Sequence, residues 1–168
     1  MMSPDLAGRP VSGTPHNAAA AGALARFVTS APIVPVRNVT SSVTFYERVL
    51  GFDVLRRNDD GSAALVARDD VRIMLLRVAE RRALEATREH ISAYVWVDDV
   101  TALWTELGPR LSQLPAWRVR HPFRQPYGTV EFHVKDPDGF LLFFAEDPFA
   151  PAAKDGLAGP DSGGQRPN

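Results

Sequence analysis

The opening half of APIVPVRNVTSSVTFYERVLGF, residues 31–52, returns as SAYVWVDDVT at residues 92–101, 61 positions later. Val34, Val36, Val39 and Thr40 recur as Val95, Val97, Val100 and Thr101. A strand, a polar helix start and an amphipathic helix therefore follow one another twice, and a chain that repeats a supersecondary unit is constrained to a fold built from two copies of it.

Periodicity fills in each copy. Val39, Val43, Tyr46 and Leu50 keep the i, i+4, i+7, i+11 spacing of a helix face, with Asn38 or Thr40 as the cap and Gly51 as the stop. Val100, Leu103, Trp104 and Leu107 repeat the pattern behind Asp98 or Asp99, and Gly108 is the expected end. β-Branched and aromatic enrichment between turn signals predicts strands at residues 31–37, 52–57, 62–68, 71–77, 91–97, 116–122, 129–135 and 139–146. In KDPDGFLLFF, Pro137 is second and Gly139 fourth in a four-residue turn, which predicts a hairpin. RDDVRIMLLR stands at the matching place in the first copy, so that Lys135–Asp136 answers to Arg68–Asp69 and, after one extra residue, Phe143 answers to Leu75. Eight strands and two helices give βαβββ twice, an α+β fold.

The length of 168 residues suits one ordinary domain. Residues 1–27 carry Pro4, Pro10, Pro15 and an alanine run but few large apolar side chains, and residues 148–168 are rich in Pro and Gly, so both ends are expected to be disordered. The domain should span residues 28–147, with modules at about 31–77 and 91–146. A net charge of −1 gives no basic field for nucleic acid, and no apolar run spans a bilayer. A soluble, cytoplasmic protein with neither nucleic-acid nor membrane partners is the expectation. The absence of cysteine excludes disulfides, thiolate metal sites and a cysteine nucleophile.

FYERVLGF, the VWVDDV strand-to-helix junction and DPDGFLLFFAED, in that order and spacing, resemble the vicinal oxygen chelate superfamily of glyoxalases, bleomycin-resistance proteins and extradiol dioxygenases. The resemblance covers nearly all of residues 31–147. It implies two βαβββ modules paired into a curved eight-stranded mixed sheet around a cleft. Metal-dependent members carry His or Glu at the start of each module's first strand and in its last strand. Those positions fall here at Ala31, Leu75, Ser92 and Phe143. Such side chains do not supply the imidazoles and carboxylates a divalent metal needs, so neither a metal nor another cofactor is expected. His90 lies two residues before Ser92, on the same face as Tyr94 and Trp96 if the strand is continued backwards, but as a lone ligand it does not restore a site. His133 alternates with Phe132 and Val134. Without a partner at recognisable spacing, it is read as structural or ligand-polar rather than as a general base. No catalytic residue is assigned.

Within the superfamily the likeness is to bleomycin-resistance proteins, which bind a drug without transforming it. TSAPIVPV resembles their first strand, with Pro32 at a proline associated with exchange of the N-terminal arm between subunits, and AYVWV and RQPYGTVEF resemble segments that supply drug-stacking aromatics. This implies a homodimer whose clefts bind a small molecule such as a bleomycin-type antibiotic, with Ile33, Leu75, Tyr94, Trp96, Tyr127 and Phe143 as ligand-binding residues. Two features depart from the pattern. Acidic and basic side chains nearly balance, and residues 53–67 lack the usual phenylalanines and have Arg56–Arg57 instead, which suits a neutral or anionic ligand. The enzymatic alternative is a glyoxalase-like lyase or dioxygenase with a displaced metal site.

Overall fold

The computed structural model describes residues 28–148. The expectations for residues 1–27 and for 149–168 lie outside the described residues. The order is β1 (Ile33–Val36), α1 (Val39–Arg48), β2 (Asp53–Arg57), β3 (Ala63–Arg68), β4 (Val71–Arg77), α2 (Arg81–His90), β5 (Ser92–Val97), α3 (Val100–Leu111), a 3-10 turn (Ala116–Arg118), β6 (Val119–Arg124), β7 (Val130–Lys135) and β8 (Leu141–Glu146).

The eight strands form two four-stranded mixed sheets with the same topology, β1-β4-β3-β2 and β5-β8-β7-β6. In each, the first strand runs parallel to the fourth and the other pairs are antiparallel. Pro35 and Pro122 lie in β1 and β6, which are edge strands, where a missing N–H need not break a ladder. Both second strands are irregular, at Val54/Arg56 and at Arg120/Phe123.

Each sheet has one face covered by its own helix, and the two covered faces share one core that includes Val34, Tyr46, Leu75, Val95, Leu107 and Phe132. Asn38 caps α1 by accepting from Ser41 N at 3.0 Å, and Asp99 caps α3 by accepting from Ala102 N at 2.8 Å. Besides that core, polar and cation–π contacts tie the two modules. Arg37 N donates to Asp138 Oδ2 at 2.9 Å, Arg68 Nη2 pairs with Glu106 at 2.7 Å, and the Arg118 guanidinium lies 4.8 Å from the Phe45 ring centre.

Gly51 ends α1 with φ 75°, and a Cβ there would lie 3.0 Å from Arg68 Nη1, which donates to Leu50 O at 2.8 Å. Gly51→Ala is expected to cost about 1–2 kcal/mol, because it adds left-handed strain to a displaced arginine. A denaturant midpoint indistinguishable from wild type would contradict that account.

Three expectations are corrected. Gly108 does not stop α3: the helix runs through Pro109 to Leu111. Leu107 and Leu111 are both buried on one face, and their burial offsets the roughly 3 kcal/mol that an internal proline costs. The second correction is α2, a third helix between the modules. Among its apolar positions only Leu84 is deeply buried, and Arg81 Nε pairs with Glu85 at 2.7 Å, so it is a mostly polar helix without the wide apolar stripe that marks a core helix. His90 is therefore the last residue of α2 and does not extend β5. Third, the hairpins match one residue earlier than the residue types suggest. Ile33, Met74 and Leu65 form one cross-strand row and Tyr94, Phe143 and His133 the corresponding one. Phe143 thus answers to Met74, and Leu75 points to the opposite face.

Candidate functional site

Five of the exposed apolar side chains lie on the faces of the two sheets that no helix covers: Ile33, Leu55 and Leu76 on the first, Tyr94 and Trp96 on the second. The second is the more chemically organised. Alternation along β5 directs Tyr94 and Trp96 to this face, and the ladders place Phe143 and Ala145 of β8 and His133 and Glu131 of β7 beside them. Tyr94 stacks on Phe143 with ring centres 5.1 Å apart and planes 10° from parallel, and lies 4.7 Å from the Trp96 ring. His133 is packed edge-on between Phe143 at 4.3 Å and Phe123 at 5.0 Å.

Glu131 is at the centre. It is fully buried, although it lies on the uncovered face of the sheet. Its Oε2 accepts from the Tyr94 hydroxyl and, at 3.1 Å, from the Tyr127 hydroxyl. Its Oε1 accepts from the Gln125 amide and lies 2.6 Å from His133 Nε2. Burial acts to raise the Glu131 carboxyl, but hydrogen bonds from Tyr94, His133, Gln125 and Tyr127 together outweigh it and hold the group below the usual carboxylate range. An ionised carboxylate only accepts, so Nε2 of His133 carries the proton of that contact. Burial, and next the bond to Glu131, push the Tyr94 hydroxyl well above its ordinary value, and it remains a donor.

Four of the residues singled out from the sequence, Tyr94, Trp96, Tyr127 and Phe143, come together here. Tyr94 and Trp96 are 41% and 45% exposed and Tyr127 is 67% exposed, so their rings are accessible while their packing is fixed. Ile33 is exposed on the corresponding row of the first sheet. Leu75 is fully buried in the core and belongs to neither open face; Met74 takes that place in the row. Sequence reasoning missed Glu131 and Gln125, and it left His133 without a partner. The available signal was the i, i+2 spacing of Glu131 and His133 on one strand, which puts both on one face.

The donor set does not fit a metal at the superfamily's usual place. Ala31, Met74 and Phe143 offer no imidazole or carboxylate, and Ser92 only a hydroxyl. Among the described residues no group of three or more His, Cys, Asp and Glu side chains could hold a metal ion. A groove of about 440 Å³ lies at the other end of β5, between Leu50, Phe52, Val71, Trp96, Leu103 and Phe144. Of the predicted residues only Trp96 lines it, so the aromatic face is an open surface rather than a closed pocket. No helix of the described residues is long and apolar enough to cross a membrane.

Residues 24–144 match the family described as the Glyoxalase/Bleomycin resistance protein/Dioxygenase superfamily. The chain belongs to this superfamily, and its two βαβββ modules are the superfamily's fold. A bleomycin-binding protein from bleomycin-producing Streptomyces verticillus, solved with copper(II)-bleomycin, is similar at TM-score 0.61 and 24% identity, over 74% of this chain and 99% of its own. The bleomycin resistance determinant encoded on transposon Tn5 is similar at TM-score 0.61 and 23% identity, over 71% and 98%. Lactoylglutathione lyase from Agrobacterium tumefaciens shares the fold at TM-score 0.52 and 17% identity, over 70% and 92%. No curated protein matches the sequence.

Proposed function

We propose that this chain is a metal-independent small-molecule-binding protein of the bleomycin-resistance type. It sequesters an antibiotic or a similar aromatic metabolite in a cleft completed by a second copy of the chain. One observation carries the reading: accessible aromatic rings are fixed in place at and beside a position where metal-dependent members need a ligand, Phe143 standing there with Tyr94 and Trp96 packed around it. Rigid aromatic surface with polar tips suits stacking on a flat ligand and does not by itself break bonds. The open faces support the dimer, because exposed Ile33, Leu55 and Leu76 on one sheet and Tyr94 and Trp96 on the other need a second wall to enclose a ligand. The similar proteins solved with bleomycin and copper(II)-bleomycin support the ligand class.

Calorimetry with metal-free and copper-loaded bleomycin, combined with sedimentation, tests both parts. A dimer that binds either form at micromolar concentration is the expected result. No heat at such concentrations removes the bleomycin assignment, and a monomer at every concentration removes the shared cleft. The enzymatic alternative, a glyoxalase-like lyase or dioxygenase with a non-standard metal site, is favoured by one feature, the buried Glu131–His133 pair. Stoichiometric zinc, nickel or iron in the purified protein, or turnover of methylglyoxal with glutathione, would select it.

A further inference from the structure

The groove of about 440 Å³ at the end of β5 lies between the two modules, and Tyr94, Tyr127 and Phe143 do not line it. Its floor is apolar, formed by Leu50, Phe52 and Val71 of the first module and Leu103 of the second. Its rim is acidic. Asp69 and Asp70 of the β3–β4 turn, Asp98 and Asp99 at the start of α3, and Glu106 stand with a single lining cation, Arg68, which pairs with Glu106 and Asp69. Asp70 and Asp98 have no cation partner among the described residues. An apolar floor under a negative rim fits an apolar segment that carries a basic side chain.

Such a segment is attached at the mouth of the groove. Pro32 O accepts from Met74 N at 3.0 Å, and the parallel β1–β4 register carried back from there puts Ser30 level with Val71, one strand spacing or about 4.8 Å away. The chain therefore enters β1 at the end of the sheet where the Arg68–Val71 turn and the groove lie. Val28, at the start of the described residues, is 83% exposed. In the sequence Leu24, Phe27 and Val28 stand at i, i+3 and i+4, the spacing of one helix face, with Arg26 among them. We infer that the groove seats the chain's own segment Leu24–Val28, with its apolar side chains on the floor and Arg26 at the acidic rim. From Leu24 to Ser30 the chain reaches at most about 20 Å, so the tether holds the segment beside the groove at high effective concentration, and a contact too weak to retain a free peptide is enough. The inference goes beyond the binding reading and does not depend on it. Trp96 lines the groove and also packs against Tyr94, so the seated segment braces one ring of the aromatic face.

The chain has no cysteine, so Ala25→Cys takes a nitroxide spin label at one place in the full chain. Backbone amide signals of the isotope-labelled protein are compared before and after reduction of the label. The seated segment is expected to weaken the signals of Val97, Ala102 and Leu103 at least about fivefold, and Phe27→Asp added to the labelled chain should bring them back to within about twofold of the reduced sample. Asp70→Lys, which reverses one rim charge at an exposed turn position, should restore them to within about threefold. No broadening overturns the inference. Broadening that neither substitution relieves is nearness through the tether alone and overturns it equally. A mixture of isotope-labelled chain lacking the spin label with spin-labelled chain at natural abundance shows whose segment is seated: broadening there overturns the assignment to the chain's own segment. If Phe27→Asp does not fold, Asp70→Lys decides.

Discussion

Raising the pH from about 4 to about 8 is expected to destabilise the domain, and Asp136 is the principal cause. This carboxylate, first residue of the DPDG turn, is fully buried, and its Oδ1 accepts from Asp138 N at 2.9 Å and Phe140 N at 2.8 Å. Its Oδ2 is buried without a hydrogen-bond partner. Burial pushes the group up to about 7, against backbone hydrogen bonds and Arg118 that favour the charged form. A carboxyl raised on folding binds its proton more tightly in the native state. Stability is therefore greatest below the unfolded value near 4, falls as the pH climbs to about 7, and is flat beyond. The span from 3.8 to about 7 corresponds to a loss of about 4 kcal/mol. Glu131, Glu106 and Glu85 are held low and act in the opposite sense, but only in more acidic solution. Denaturant titrations of wild type and Asp136→Asn across this range decide the matter. The variant keeps an oxygen for the two turn N–H groups and should show little slope between pH 4 and 8; parallel curves for the two proteins would exclude Asp136 as the source.

Phe132→Ala should remove about 4 kcal/mol, a large part of what holds a domain of this size together. Phe132 is fully buried on the helix side of β7, stacked on Phe144 at 4.9 Å and edge-on to Trp104 at 5.3 Å. Its edge-on contact with Trp104 joins a sheet strand to α3. Its neighbour Glu131 faces the other way, so the substitution separates stability from binding: the folded fraction at low temperature should bind bleomycin as the wild-type chain does. Phe132→Leu should recover most of the loss. A denaturant-derived loss below about 1 kcal/mol for the alanine variant would mean that the aromatic cluster is not central to the core.

Much of this architecture was legible because the sequence states it twice. The pairing of Val34 and Val36 with Val95 and Val97, together with the helix faces that follow, located β1, α1, β5 and α3 through hydrophobic period alone. The turn at Pro137–Gly139 was readable from φ requirements, and Gly139 N donates to Asp136 O at 3.0 Å as such a turn demands. What escaped detection has specific causes. A mostly polar helix such as α2 has too narrow an apolar stripe to stand out between two modules. At Gly108–Pro109 two strong local stop signals were overridden by the burial of Leu111. Matching the hairpins by residue type set the register off by one, and in a strand a single step moves a side chain to the other face, which is how Leu75 was placed on the open side instead of Met74. The site was half legible. Aromatic residues on β5 and β8 announce themselves by type and alternation, but Glu131 and Gln125 acquire their meaning only when the β6–β7 turn brings Tyr127 back over the sheet.

The hairpin that joins β7 to β8 is one residue longer than its counterpart between β3 and β4, and that residue has a consequence for assembly. The longer loop lets Asp138 reach the backbone of Arg37 at the entrance to α1, while the shorter loop leaves Arg68 to grip α3 through Glu106. Two halves descended from one pattern are otherwise nearly interchangeable, and interchangeable halves can dock in the wrong order. Unequal clasps, an acid on a backbone amide at one end and an arginine on a carboxylate at the other, give each half a single seat, so the chain distinguishes its own front from its back.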